Sequence, residues 1–160
     1  MQEPGRLAFL HQNCLFRQLL VQVLSGEDRF EATDVDHVRP DHYEQLLAIH
    51  PGVVLLDLSL PEKLAVDLSA FVREYLSATK VIALVQGGRL SEDNEAALLD
   101  CVEAGAHGFV LEESSLQDLR DAIDTVLLGQ RFYSPSIVES MFDQLANFSR
   151  ETRWRSRLRN

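Results

Sequence analysis

The chain has few cysteines and no long hydrophobic segment. Its 160 residues include only Cys14 and Cys101, which cannot form the disulfide framework of a small secreted domain. No apolar run approaches the ~20 residues that a membrane-spanning helix needs. Residues 1–6 lead into a strand-like segment without the features of a signal peptide. We therefore expect a cytoplasmic protein with no membrane partner, in which Cys14 is a small buried side chain.

Positive charge is also scarce, except in one short segment. The formal net charge is −10, and residues 150–160 contain five arginines and one acid, a local charge of +4. Residues 1–149 therefore carry −14, which argues against nucleic-acid binding by this part of the chain. The basic segment is open to two interpretations: a solvated helix end or a local nucleic-acid contact.

Several motifs of catalytic and cofactor-binding proteins are missing. Gly87-Gly88 is too short and in the wrong place for a phosphate-binding loop, and a dinucleotide-binding pattern would need glycines where the chain has residues 11–14, HQNC. Metal-ligand spacing is absent among four of the histidines, which are His37, His42, His50 and His107. We expect no enzymatic activity, no bound metal and no cofactor.

Strand-like and helix-like patterns alternate five times along the chain. Short apolar runs predict strands at Leu7–Leu10, Phe30–Val35, Val53–Asp57, Val81–Val85 and Gly108–Leu111. Helical periodicity follows each run, with starts predicted at Asn13, Pro40, Leu64, Asp93 and Ser115. Five βα units with short connections predict a three-layer, doubly wound α/β fold with the flavodoxin-like parallel sheet order 2-1-3-4-5. Ser134-Pro135 opens an extra C-terminal amphipathic helix.

The third predicted strand ends in a single carboxylate. Val53–Asp57 is a continuous apolar run that closes with Asp57, and turn residues follow at once. Such runs are typical of strands that are buried on both faces of a parallel sheet. In these sheets the ligand crevice lies beyond the carboxyl ends of the strands. Asp57 is therefore predicted at the mouth of the crevice, as a potential nucleophile or metal ligand.

Three segments occur in a recognisable order: Asp57 with Pro61 four positions later, then Glu103–Leu111, then Gly129–Pro135. Together they resemble the receiver domain of bacterial response regulators, most closely those of the NarL/LuxR class of transcription regulators. The resemblance covers about residues 6–148. It implies a site in which a histidine kinase transfers a phosphoryl group to the position of Asp57, and it places Phe109 at the aromatic switch position.

At several positions around that site, this chain has residues that differ from those of the family. Members of the family use two acidic residues after strand 1 to hold Mg²⁺, a Thr or Ser at the end of strand 4 and a Lys at the end of strand 5. The acidic pair, the hydroxyl and the lysine are replaced here by His11 and Gln12, Val85 and Glu112. Phosphoryl transfer develops negative charge that cations and donors must neutralise. The phosphoacceptor position is kept while its supporting groups are missing.

These substitutions favour a domain that works without phosphorylation. Mg²⁺ needs an octahedral set of hard oxygens, which Asp57 with Gln12 and a neutral His11 supplies poorly, so Mg²⁺ binding is expected to be weak or absent. Glu112 turns an attraction for the phosphoryl group into a repulsion of about 4 kcal/mol at ~4 Å and an effective dielectric constant near 20. We interpret the chain as an atypical receiver, a regulatory and dimerisation module of a transcription regulator.

Other functions stay open at the level of sequence. The chain could be a working receiver that a histidine kinase phosphorylates on Asp57. It could instead be a receiver that senses a small molecule in the crevice. His11 could form an ion pair with Asp57, or it could be an ordinary hydrogen-bonded histidine. Phe109 could be a switch residue or a packed aromatic.

The predicted domain organisation follows from the resemblance. Residues 1–130 form the receiver, residues 131–149 an amphipathic linker helix, and residues 150–160 a basic tail. In the NarL/LuxR class such a linker leads to a helix-turn-helix domain, so DNA would be bound only through a domain that is not present in this chain. A homodimer is the expected assembly. The resemblance implies an interface on helices 1 and 5, which carry Leu15, Leu19 and Leu127, or on helix 4 with strand 5.

Overall fold

The structure is a computed structural model that describes residues 5–87 and 92–159. Its strands are β1 (Gly5–Leu10), β2 (Phe30–Asp34), β3 (Val53–Asp57), β4 (Lys80–Val85), β5 (Gly108–Leu111) and β6 (Phe132–Tyr133). Its α-helices are α1 (Cys14–Ser25), α2 (His42–Ile49), α3 (Leu64–Tyr75), α4 (Glu92–Ala104), α5 (Leu116–Leu127) and α6 (Pro135–Arg159). A single 3₁₀ turn at Pro61–Lys63 leads into α3.

The strands form one parallel sheet in the order β2-β1-β3-β4-β5-β6. This confirms the predicted order 2-1-3-4-5, and the two-residue strand β6 adds to the edge beyond β5. Leu10 lies beside Leu56, and Val85 lies beside Leu111, so the carboxyl ends of the four central strands are level. The residues that follow these ends share one edge of the sheet.

Alternate residues of the central strands face two different cores, because successive side chains of a strand point to opposite faces. In β1, Leu7 and Phe9 pack in the core under α1 and α5. Ala8 and Leu10 pack in the core under α2, α3 and α4, to which the start of α6 also contributes. Both faces of the sheet are covered, as the continuous apolar runs of the sequence predict.

Local capping fixes two helices beside the strand ends. The side-chain oxygen of Asn13 accepts a hydrogen bond from the backbone N–H of Phe16 at 3.0 Å and starts α1. Ser115 and Asp118 form a reciprocal capping box at the start of α5. The sequence predicted the Asn13 cap and a helix start at Ser115. These two helix starts set where the preceding loops, and the site residues in them, must turn.

Two predicted features differ in detail. Helix α2 begins at His42 rather than at Pro40, because a hydrogen bond from His42 N–H to the Arg39 carbonyl closes a turn around that proline. The predicted loop at Gly87-Gly88 lies partly outside the described residues.

Helix α6 is the extra C-terminal helix. Pro135 occupies its first position, as predicted, but the Ser134 hydroxyl accepts a hydrogen bond from Leu111 N–H instead of capping the helix. Ile137 is buried against the domain, whereas every described residue from Leu145 onward is exposed. Helix α6 also takes in most of the basic tail. Among the described residues, no helix is both long and apolar enough to cross a membrane.

Candidate functional site

Three strand ends bring His11, Asp57 and Glu112 together. Asp57 is the last residue of β3, and His11 and Glu112 are the first residues after β1 and β5. The side chains of His11 and Glu112 extend toward each other over the ends of β3 and β4. His11 is 1% exposed, Asp57 is fully buried and the Glu112 side chain is 18% exposed. The sequence-predicted crevice therefore contains two carboxylates and one imidazole.

The Asp57 carboxylate is already hydrogen-bonded by its own loop. Oδ1 accepts from the Ser59 N–H at 2.9 Å and from the Ser59 hydroxyl at 2.6 Å. Oδ2 accepts from the Gln12 N–H at 3.3 Å. The Gln12 side-chain amide donates to the Ser59 carbonyl oxygen. Sequence reasoning missed Ser59, although a serine two residues after an aspartate is a known local hydrogen-bonding pattern.

His11 is oriented by a bond at each ring nitrogen. Its Nδ1 accepts a hydrogen bond from the Asn13 N–H at 2.9 Å. Its Nε2 faces the Glu112 Oε1 within hydrogen-bonding distance. A nitrogen that accepts has a free lone pair, so this network assigns the proton of a neutral imidazole to Nε2, which donates to Glu112. The ring also lies against Phe16, with centroids 4.8 Å apart.

The distance between His11 and Asp57 fits an ion pair, but the hydrogen bond at the other ring nitrogen of His11 does not. Nε2 lies 3.6 Å from Asp57 Oδ2, within range of an electrostatic contact. A charged imidazolium would also carry a proton on Nδ1, directed at the Asn13 N–H that donates to that nitrogen. The hydrogen-bond network therefore favours a neutral, hydrogen-bonded His11 over the ion pair.

The Mg²⁺ of the receiver family does not fit this set of residues well. The Ser59 N–H and hydroxyl occupy one Asp57 oxygen, and the Gln12 amide occupies the Ser59 carbonyl oxygen. The imidazole of His11 lies beside the remaining oxygen, at 3.6 Å from it. Among the described residues, the hard oxygens left for Mg²⁺ are the second oxygen of Asp57 and the Glu112 carboxylate, and the His11 ring contacts both of them.

A transition metal fits no better, although potential ligand atoms of His11, Asp57 and Glu112 lie within 4.8 Å of one another. Metal-bound histidines donate the N–H of their other ring nitrogen to an acceptor. In His11 that other nitrogen is Nδ1, which instead faces the Asn13 N–H, a donor. Binding at Nε2 would move the proton to Nδ1 and set two donors against each other.

The other two receiver positions lie inside the core. Val85 ends β4 with its side chain fully buried, and its carbonyl accepts from the Glu112 N–H at 2.9 Å. It offers no hydroxyl to a ligand. Phe109 is fully buried in β5 and stacks on Tyr133, with ring centroids 5.8 Å apart and 11° between the ring planes. Phe109 is in a packed, inward position.

Among the residues that the structure describes, no fixed cation balances the two carboxylates. Within residues 5–87 and 92–159, no lysine or arginine nitrogen lies within 4.0 Å of a carboxylate oxygen of Asp57 or Glu112. Arg17 is close by, but its guanidinium donates to the His11 carbonyl at 2.9 Å and pairs with Asp34 on β2. The site is an anionic, largely buried pocket.

The two cysteines differ in environment. The expectation that Cys14 is buried was wrong: it is exposed in the first turn of α1, because its side chain lies on the solvent-facing side of the helix with the exposed Leu15. Cys101 is fully buried in α4, and this burial raises the pKa of its thiol to about 11. Neither cysteine lies among the residues that line the strand-end site.

Comparisons with known proteins agree with the resemblance. No family model matches the chain. The uncharacterized transcriptional regulatory protein YvfU of Bacillus subtilis is 28% identical over 120 residues, which are 75% of this chain and 51% of YvfU. The chain spans 51–64% of the length of such curated relatives.

Solved structures show the same fold. A LuxR-family two-component response regulator from Aurantimonas sp. superposes with a TM-score of 0.73 at 21% identity, covering 89% of this chain and 99% of that one. A structure of RcsB dimers bound to DNA superposes with a TM-score of 0.69 at 16% identity, covering 85% and 66%. The homologues of this chain are thus response regulators of the NarL/LuxR class, and its fold is that of their receiver domains.

Proposed function

We propose that this receiver domain acts as a phosphorylation-independent regulatory and dimerisation module of a transcription regulator. The observation that carries the proposal is the His11–Glu112 hydrogen bond beside Asp57. The two bonded side chains occupy the crevice, and neither offers the fixed positive charge that a phosphoryl group requires. Their hydrogen bond also links the ends of β1 and β5 in the absence of a phosphoryl group. On this proposal Asp57 is a structural residue and the domain binds no Mg²⁺.

The charge of the site supports the first part of the proposal. An aspartyl phosphate would place a further negative group beside Glu112, whose carboxylate is only 18% exposed. One contact of that kind at ~4 Å costs about 4 kcal/mol at an effective dielectric constant of 20. Neutral His11 supplies one N–H donor, which Glu112 already uses. The described residues around Asp57 therefore offer little stabilisation of the developing phosphoryl charge, which is the main contribution of a receiver to the reaction.

The burial of Asp57 supports it as well. The carboxylate is fully buried, and its oxygens accept three hydrogen bonds from Ser59 and Gln12. Before an Asp57 oxygen could attack a phosphodonor, it would have to lose its hydrogen bonds, and the loops around it would have to open. A buried and fully hydrogen-bonded carboxylate is suited to fixing a loop rather than to serving as a nucleophile.

Exposed apolar side chains support a dimer. Helix α1 presents Leu15, Leu19 and Val23 on one face, at four-residue spacing, with 67%, 52% and 47% exposure. Leu127 is 46% exposed at the end of α5. We propose that two chains associate in the cytoplasm, and that DNA is bound by a further domain, since the body of this chain is acidic.

A small-molecule sensor is the second candidate, and one cavity favours it. A pocket of about 190 Å³ lies between α1 and α5 and is lined mainly by apolar side chains, including Phe16, Leu20, Leu84 and Leu116. Glu112 and Ser114 also line it. A small apolar cation would match this pocket. A screen of short alkyl and aryl amines that raised the melting temperature of the wild type but not of Glu112→Gln would establish this function.

Chemical phosphorylation tests the proposal. The domain is incubated with Mg²⁺ and a small-molecule phosphodonor, and intact mass is measured alongside a receiver that keeps every family position. We expect no species heavier by about 80 Da, the mass of one phosphoryl group, while the reference receiver is labelled. Stoichiometric labelling that disappears in Asp57→Asn would establish a working phosphoacceptor and overturn the proposal.

A further inference from the structure

A long groove runs between α4 and α6, away from the strand-end site. Its volume is about 820 Å³. Its apolar lining comes from Leu99, Met141, Leu145 and Phe148, and acidic side chains also line it at Glu95, Asp143 and Glu151. Leu99, Leu145 and Phe148 are 49%, 63% and 70% exposed, so this apolar surface is uncovered. The groove has the character of a binding site for an apolar segment that carries positive charge.

The C-terminal half of α6 has that character. It extends past the domain with every described residue exposed, including Trp154 at 63% and Leu158 at 83%. Its five arginines lie on both sides of these apolar residues in the sequence, at Arg150, Arg153, Arg155, Arg157 and Arg159. An unsupported helix of this length is marginally stable in water, so packing against another surface would stabilise it.

Trp154 and Leu158 lie on the same side of α6 as the groove. Trp154 follows Asn147 by seven residues, and Leu158 follows Glu151 by seven; both earlier residues line the groove. Seven residues are close to two helical turns, so each pair shares a face. Ser140 and Gln144 continue this stripe toward the start of α6 at spacings of three and four residues, so the stripe that carries Trp154 and Leu158 is the one that borders the groove.

The segment cannot enter the groove of its own molecule. Trp154 is ten residues beyond Gln144 on one continuous helix, so it stands about 15 Å farther along the helix axis. A second copy of the chain can supply the segment, because two antiparallel α6 helices related by a two-fold axis exchange their halves reciprocally. With the axis near residue 149, Trp154 of one copy lies level with Gln144 of the other, and Arg155 lies level with Asp143.

We propose that two copies of this chain dimerise by laying the C-terminal half of each α6 in the α4–α6 groove of the other. Trp154 and Leu158 then cover the apolar lining, and the arginines face the acidic side chains of the groove. The inference rests on the proposed dimerisation function and names its interface. Helix α1, with Leu19 at the centre of its apolar face, is the competing interface.

The single tryptophan of the chain is a direct reporter of this contact. Sedimentation equilibrium and Trp154 fluorescence are measured over the same concentration series. We expect a monomer–dimer equilibrium with a blue shift of the emission maximum that follows the dimer fraction, because Trp154 leaves water. Trp154→Ala removes a side chain that is 63% exposed in one copy, so we expect it to leave the melting temperature of the dilute monomer unaltered and to weaken dimerisation at least 10-fold.

Charge exchange tests the register of the pair. Asp143→Arg is expected to weaken the dimer, and adding Arg155→Asp to the same chain is expected to restore most of the affinity. A dimer that Leu19→Glu dissociates while Trp154→Ala leaves its affinity unchanged would overturn the inference but keep the dimerisation function. A chain that stays monomeric at all concentrations would overturn both, whereas labelling by the phosphodonor bears only on the phosphorylation-independent part of the proposed function.

Discussion

The hydrogen bond between His11 and Glu112 can be weighed by a double-mutant cycle. The variants are His11→Ala, Glu112→Gln and the two combined. In His11→Ala, Glu112 loses the donor to its Oε1, and it faces the Asp57 carboxylate with no group between them. The cost of this substitution therefore depends on the charge of Glu112. The cycle isolates that dependence.

The magnitude follows from the burial of the two side chains. His11 is 1% exposed, so removing its ring leaves a cavity, and emptying a buried aromatic site costs about 3–5 kcal/mol. A hydrogen bond to a charged group contributes about 1.5–3 kcal/mol. We expect His11→Ala to lower the free energy of unfolding by about 4 kcal/mol. In the Glu112→Gln background we expect about 1–2 kcal/mol less, because the unpaired charge is gone.

Urea unfolding followed by circular dichroism measures all four proteins. Glu113→Gln is the matched control, since Glu113 is an exposed carboxylate next to Glu112, and a change within about 0.5 kcal/mol is expected. Equal m-values are needed for the comparison of midpoints. If the His11 and Glu112 effects add within about 0.5 kcal/mol, the two side chains are not coupled and the account of the pocket fails.

Two further predictions concern the thiols and pH. Cys14 is expected to react with a thiol reagent in the native protein, while Cys101 reacts only on unfolding because burial raises its pKa to about 11; equal native rates would refute this. Burial first, and then the charges of Lys80 and Arg131, lower the pKa of His107 below 6.5, so the unfolded chain takes up the proton first and stability falls as pH drops through 6.5. The slope of unfolding free energy against pH from 7 to 5.5 is expected to be smaller in His107→Asn; an unchanged slope would contradict this.

The sheet was predictable because its signals are local and mutually consistent. Apolar runs such as Val53–Asp57 are too short for buried helices and too continuous for half-exposed strands. Asn13 and Ser115 mark helix starts by hydrogen-bonding chemistry that needs no tertiary context. Because the strand ends are level, His11 and Glu112 lie around Asp57. The residues of the site could therefore be predicted from the sheet topology.

The chemistry of the site was less predictable, because it depends on single hydrogen bonds. The donor that faces His11 Nδ1 is a backbone N–H whose direction is set by the loop before α1, and no sequence pattern reports it. Predicting the hydrogen bonds from Ser59 to Asp57 would have required the conformation of the loop after β3. The exposure of Cys14 depends on which face of α1 packs on the sheet. The sequence of a single turn at the start of the helix does not determine that face.

The most direct test of the central claim, that the pocket around Asp57 cannot hold a phosphoryl group, is a titration with Mg²⁺ and beryllofluoride. The mixture mimics an aspartyl phosphate without requiring a phosphodonor reaction. Amide resonances are followed by two-dimensional NMR at millimolar concentrations of both components. We expect no shifts in the loops that follow β1, β3 and β5. Saturable shifts at Asp57, Ser59 and Glu112 that vanish in Asp57→Asn would contradict the account.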